Sequence, residues 1–207
     1  MNNLQKRILT SIIILPLSIF FVVKGGYLLT FFLILILFVG MYELFSVFKK
    51  RQSIIFLSLI LILSLFSIYY LREQMPDFLY FAIAVTISSD IGGYIFGKIF
   101  KWKKLTKISP NKTYSGVLGS YLFSIICLFI WMEFISFGFF IHYKVFLMTI
   151  IFSTVAQIGD LTISYFKRLE KIKDTGKVLP GHGGIFDRID GLMFVVMMAA
   201  IYHHLQL

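Results

Sequence analysis

Charge is scarce in this chain. Asp, Glu, Lys and Arg make up 14% of its 207 residues, and only ten of them are acidic. With 58% of the sequence hydrophobic, such a chain cannot cover the surface of an ordinary soluble domain. Cysteine occurs once, as Cys127. An intramolecular disulfide is therefore excluded, and within its apolar run the residue reads as a small buried side chain. No internal repeat and no low-complexity linker breaks the sequence. The strict alternation of polar and apolar residues that a membrane β-barrel needs is also missing. Lys6 and Arg7 ahead of the apolar run 8–23 have the look of a secretory leader, but Lys24-Gly25-Gly26 lacks the small-x-small cleavage pattern. That run reads as an uncleaved first span.

Long apolar runs are plentiful. Seven candidate helices fall at about 8–23, 27–48, 53–71, 78–100, 115–135, 144–165 and 188–205, most of them near the length that crosses a bilayer. The expected fold is all-α: a polytopic membrane helix bundle of seven spans with two basic cytoplasmic loops. We expect one integral-membrane domain over 1–207, divided into amino-terminal spans (1–75) and a catalytic region (76–207). Alternating the connections puts the amino terminus, Lys49-Lys50-Arg51, the 98–112 segment and the 167–188 segment on one side, leaving only Lys24, Arg72 and Lys144 for the other. The positive-inside rule makes the first side cytoplasmic and sends the carboxyl terminus outward. The formal net charge of +10 is then mostly a topology signal, reinforced by attraction to anionic headgroups, and a nucleic-acid site is not expected.

Against this background 164–190 stands out. It brings Asp174, Asp187, Asp190, His182, Lys167, Arg168, Lys171, Lys173, Lys177 and Arg188 together around Gly181, Gly183 and Gly184. Acids for a metal, cations for phosphate oxygens and glycines for close backbone approach suit phosphate chemistry. Just upstream, Asp160 lies at or within the end of the sixth helix, where a lone carboxylate is costly. It is either ion-paired to a lysine of a neighbouring helix or functional. At helical spacing it shares a face with Ser164, Lys167, Arg168 and Lys171. Asp187 and Asp190, three apart at the start of the last span, can face the same way, and the preceding Gly183-Gly184 frees backbone near a helix amino terminus suited to phosphate. Capping and pairing with Arg188 would use the same residues. His182, between glycines, reads as a phosphate or substrate contact or as a structural hydrogen bond.

Asp90 lies well inside the fourth span, ahead of a basic loop that ends in Ser109-Pro110-Asn111-Lys112-Thr113. Parity puts that loop on the same face as 167–188. Glu43 reads as structural, Glu133 as lying near an outer end, and His203-His204 as surface.

These residues resemble the integral-membrane phosphatidate cytidylyltransferases, or CDP-diacylglycerol synthases. That family's signature has the form S-x-x-K-R-x4-K-D-x-G-x2-L-P-x-H-G-G-x2-D-R-x-D. Here it reads Ser164, Lys167-Arg168, Lys173-Asp174, Gly176, Leu179-Pro180, His182-Gly183-Gly184 and Asp187-Arg188-Ile189-Asp190, with every spacing met. Gly159-Asp160-Leu161 and the stretch from Ser89-Asp90-Ile91-Gly92-Gly93 to Lys112-Thr113 are similar to further family regions. The likeness covers roughly 85–195. Ser115 and Ile163 stand where the family commonly has glutamate.

The resemblance implies a reaction in which a phosphate oxygen of phosphatidic acid attacks the α-phosphorus of CTP, giving CDP-diacylglycerol and pyrophosphate. It implies catalytic roles for Asp160, Lys167, Arg168, Lys173, Asp174, His182, Asp187, Arg188 and Asp190, and substrate contacts from Asp90, Ser109, Lys112, Thr113, Ser164, Gly183 and Gly184. Mg2+ on Asp160 and Asp187, supported by Asp190, suits an all-oxygen ligand set better than zinc would. A second, monovalent cation and a homodimer stay open. The implied partners are CTP, phosphatidic acid and membrane lipids, in a bacterial cytoplasmic membrane with the site facing the cytoplasm. Alternatives are a CTP-dependent polyprenol or lipid kinase, a transporter using Asp90 and Asp160, and an inactive homologue.

Overall fold

The computed structural model describes residues 3–134, 143–176 and 183–205, with side chains from residue 12 onward. Seven helices follow one another: α1 (Asn3–Lys24), α2 (Gly26–Val47), α3 (Arg51–Gln74), α4 (Pro76–Phe100), α5 (Tyr114–Phe134), α6 (Tyr143–Leu169) and α7 (Phe186–Leu205). No strand occurs among the described residues; the nearest thing is an isolated bridge between Lys104 and Thr113. The seven expected helices are therefore found, each within a few residues of its expected ends apart from an earlier start for α1 and a later end for α6.

Five of these helices, α2 to α6, are long and apolar enough to cross a membrane. In α1 the described side chains begin at Ile12, and Ile12–Lys24 is apolar. α7 opens with Asp187, Arg188 and Asp190 and closes with His203 and His204. Large apolar side chains such as Phe31, Phe38, Phe66 and Phe129 are exposed, as a bundle immersed in lipid requires. The chain is an all-α membrane helix bundle.

Local sequence sets the breaks. Gly25 and Gly26, both at positive φ, turn α1 into α2. Pro76 begins α4 where its missing N–H costs nothing. At the same end of the bundle as Gly25, Arg72 donates to the carbonyls of Val22 and Val23, satisfying the end of α1.

The helices pack through small and hydroxylated residues, as spans must when burial gains little over lipid. α4 and α5 touch most closely. A Cβ on Gly92 would run into the carbonyl oxygen of Gly119, and one on Gly119 into the carbonyl of Gly92 and the side chain of Phe96. Above this contact Ser120 Oγ donates to Ser89 O (2.8 Å), Ser89 pairs with Ser153 of α6 (2.9 Å), and Tyr121 pairs with Thr154 (3.0 Å). α3 packs on α7, reaching its far end where Tyr70 hydrogen-bonds His203 (3.1 Å).

Replacing Gly119 by Ala should lower stability by about 1–3 kcal/mol, because backbone rather than a movable side chain blocks the new methyl. Thermal unfolding in detergent, with Leu118→Ala on the exposed face as a near-neutral control, measures this.

Candidate functional site

A cavity of about 340 Å³ opens where α4, α5, α6 and α7 meet. Four carboxylates line it, those of Asp90, Asp160, Asp187 and Asp190, together with Ser109, Lys112 and Thr113. Asp160 lies nine residues before the end of α6 and Asp90 ten before the end of α4, roughly 14 Å along each helix. The cavity thus reaches inside the bundle.

Glycine brings the acids together. A Cβ on Gly159 would lie 3.0 Å from the carbonyl oxygen of Asp190, and one on Gly191 would lie 3.0 Å from that of Ala156. With α6 and α7 this close, Asp160 and Asp190, each adjacent to one of these glycines, come within hydrogen-bonding reach of one another. Carboxylates so placed repel unless a proton or cation lies between them.

Positive charge arrives from two directions. The 101–113 connection folds back on itself: Leu105 N donates to Lys112 O (2.8 Å), and Lys112 N closes a tight turn on Ser109 O (3.1 Å) across Pro110. This turn aims Lys112 Nζ at Asp160 Oδ2 (2.6 Å) and at the carbonyl of Gln157 (3.2 Å). Asp160 therefore has the lysine partner that its place in a span called for, drawn from a loop. Thr113 accepts a hydrogen bond from Gly116 N (3.1 Å) and so caps α5 while facing the cavity.

The second cation is Lys167, whose Nζ lies 2.7 Å from Asp187 Oδ1 in a pair that is largely buried on both sides. Asp187 does more than pair. Its Oδ2 accepts from Thr175 N (2.8 Å), Thr175 Oγ1 (3.1 Å) and Gly184 N (3.1 Å), drawing the two limbs of the signature loop together. Gly183 has φ 84, and a Cβ there would press on the same oxygen, so a side chain is excluded twice over.

The expected face of α6 is split. Ser164 is buried and donates to Asp160 Oδ1 over 3.4 Å. Arg168 instead turns to the carbonyls of Ile108 and Ile172, joining the two basic loops. Lys171 lies past the helix end at positive φ. Lys173 and Asp174 are exposed, and none of these four lines the cavity. Arg188 is exposed as well. His182 lies outside the described residues.

Two contributors went unread in the sequence, and a third, Glu43, was read only as structural. Thr175 is fully buried and supplies two of the donors to Asp187. Glu170 accepts from Lys49 N (3.2 Å) and Lys50 N (3.0 Å), tying the α2–α3 turn to the end of α6. Glu43 is buried against the signature loop. Only the signature glycines hinted that something packs there.

Among the described residues no three carboxylate, imidazole or thiol groups are arranged to hold a metal ion. The close pair Asp160 and Asp190, facing a cavity lined by oxygen donors, nevertheless fits a hard cation whose remaining ligands come from water or phosphate.

The fold and cavity define a polytopic membrane protein with lysines and carboxylates gathered at one end of its helix bundle. Residues 54–206 match the profile of the Cytidylyltransferase family, and the chain belongs to that family. It is similar to proteins named phosphatidate cytidylyltransferase. One from Staphylococcus saprophyticus is 41% identical over 135 residues, which cover 65% of this chain and 52% of the relative. Another, from Staphylococcus aureus, is 38% identical over 135 residues, 64% of this chain and 51% of the relative. The chain spans about half the length of the curated relatives it matches.

Asp187→Ala should speed amide exchange at Thr175 and Gly184 about tenfold or more, the loss of a hydrogen bond to a charged acceptor. Hydrogen-exchange mass spectrometry, with the α2 amides as internal reference, reads this directly.

Proposed function

We propose that this chain transfers the cytidylyl group of CTP to phosphatidate. The observation that carries the reading is the convergence, on one cavity, of residues from both signature regions: Lys112 from one loop, Lys167 paired with Asp187 from the other, and Asp160 beside Asp190. In the proposed step a phosphate oxygen of phosphatidate forms a bond to the α-phosphorus of CTP. The bond from that phosphorus to the bridging oxygen of the β-phosphate breaks, and pyrophosphate leaves with the electron pair. Both reactants are anions. The protein's work is therefore to hold them in line and offset their repulsion. Lys112, which lines the cavity, and Lys167, paired with the cavity-lining Asp187, are suited to that, and the more exposed Arg168 and Lys173 would meet the distal phosphates.

Asp160 and Asp190 would hold Mg2+, with Asp187 joining only by exchanging one of its loop donors. The ion would supply charge neutralisation at the transferring phosphate. The membrane setting supports the lipid substrate: acyl chains can stay among the spans while the headgroup enters between α4 and α6. The turn at Lys49–Arg51, the 101–113 loop and the 170–176 limb are linked by Glu170 and Arg168, which supports a cytoplasmic placement for that end under the positive-inside rule.

Membranes carrying the chain, given phosphatidate, Mg2+ and CTP labelled at the α-phosphorus, should yield labelled lipid, whereas γ-labelled CTP should not. Label from the γ position would make the protein a lipid kinase, and none from either would leave it without this activity. If transfer is found, Asp160→Asn and Asp190→Asn should each reduce kcat about 10²-fold or more, as removal of a metal ligand or of preorganised charge does. Near-normal turnover in either variant would remove that residue from the metal set.

A further inference from the structure

Glu43 lies on α2, outside the 54–206 segment that matches the family profile. Its side chain is 1% exposed, which is unusual for a carboxylate. Its place at the end of an apolar helix gives it no reason to be acidic unless it has a polar task. That task is visible in the contacts. Glu43 Oε2 accepts a hydrogen bond from Ile185 N at 2.7 Å, immediately before α7 begins at Phe186. The residue is wedged between the two limbs of the signature loop: a Cβ on Gly176 would meet Glu43 Oε1 at 2.5 Å, and one on Gly184 would meet Oε2 at 2.6 Å. These two glycines leave the space that the carboxylate fills.

Successive backbone donors at this point are thus divided between two acids. Gly184 N goes to Asp187 and Ile185 N to Glu43. Both carboxylates sit at the amino end of α7, where the helix dipole favours negative charge. Fixing Ile185 fixes the start of α7, and with it Asp187, two residues on, and the Lys167 that Asp187 holds.

We propose that Glu43 is a positioning residue: the first half of the chain uses it to clamp the signature loop and set the Lys167–Asp187 pair against the cavity. The functional consequence rests on the cytidylyl-transfer reading; the clamp itself does not. Glu43 touches no reacting atom and acts through Ile185.

The test compares Glu43→Ala with Glu43→Gln in the full chain. Glutamine keeps an oxygen that can accept from Ile185 N, and alanine does not. The alanine variant should lower kcat/KM for CTP about 10- to 100-fold, as ångström-scale misplacement does, mainly through KM for CTP and with KM for phosphatidate within about twofold. The glutamine variant should recover most of that loss. In a second readout that needs no activity, trypsin should cut at Lys171 and Lys173 faster in the alanine variant than in the parent, with the glutamine variant close to the parent. Gly176→Ala, which pushes a methyl into the carboxylate, should behave like Glu43→Ala. Unchanged kinetics and proteolysis in Glu43→Ala would overturn the proposal. So would a glutamine variant as impaired as alanine, or an alanine variant that loses folded protein while the remaining enzyme keeps its KM values. If the parent makes no CTP-dependent product but the proteolysis follows the expected order, the clamp stands and the assigned reaction falls.

Discussion

Gly159 on α6 and Gly191 on α7 let two helix backbones touch, and that contact carries Asp160 and Asp190 to one another inside the bundle. The remaining charges at this end are arranged around that constraint. Like charges buried side by side are strongly unfavourable without compensation. Lys112 comes from a folded-back loop to meet Asp160, and Ser164 adds a hydroxyl from one turn further along α6. A larger residue at either glycine would part the helices and leave two separated acids in an apolar bundle.

The loops inherit their shape from the same need. Lys167 lies nearly two turns beyond Asp160, too far to neutralise it from the same helix, so it pairs with Asp187. Asp187 in turn gathers Thr175 and Gly184, turning a polar connection into a closed structure that folds back against the bundle. Backbone groups that would otherwise be stranded at depth are satisfied by carboxylates, the requirement that governs any irregular chain near lipid. Arg168 and Glu170 complete the arrangement by binding this loop to its two neighbours through backbone groups. One patch of basic sequence therefore does two jobs: Lys167 pairs with Asp187, which lines the cavity, and Arg168 holds the frame.

The family membership and the cavity fit together at this level of detail. The signature and the other family regions contain residues of quite different physical use. Asp160, Asp187, Asp190 and Lys112 face the cavity, while Gly176 and Gly184 are there because Glu43 occupies the space a side chain would need. A sequence pattern records both kinds alike. The geometry separates chemistry from support.

The number and rough limits of the helices were legible in the sequence, because apolar length and short polar breaks fix spans almost independently of packing. The shared location of Asp160, Asp187, Asp190 and Lys112 was legible too, through loop parity and motif spacing. Which lysine serves which acid was not. That depends on a turn at Ser109–Lys112 and on the closeness of α6 and α7, neither of which helical spacing encodes. Arg168 was expected beside Asp160 on spacing, but the end of α6 turns it to the carbonyls of Ile108 and Ile172. Thr175 was not read at all, and Glu43 was read as structural without its partner, since a lone polar residue near a span's end looks the same whether it meets water or a loop folded over it. Local sequence determined the spans and the chemical groups near their ends; tertiary structure decided their partners, because partners are chosen by distances between segments far apart in the chain.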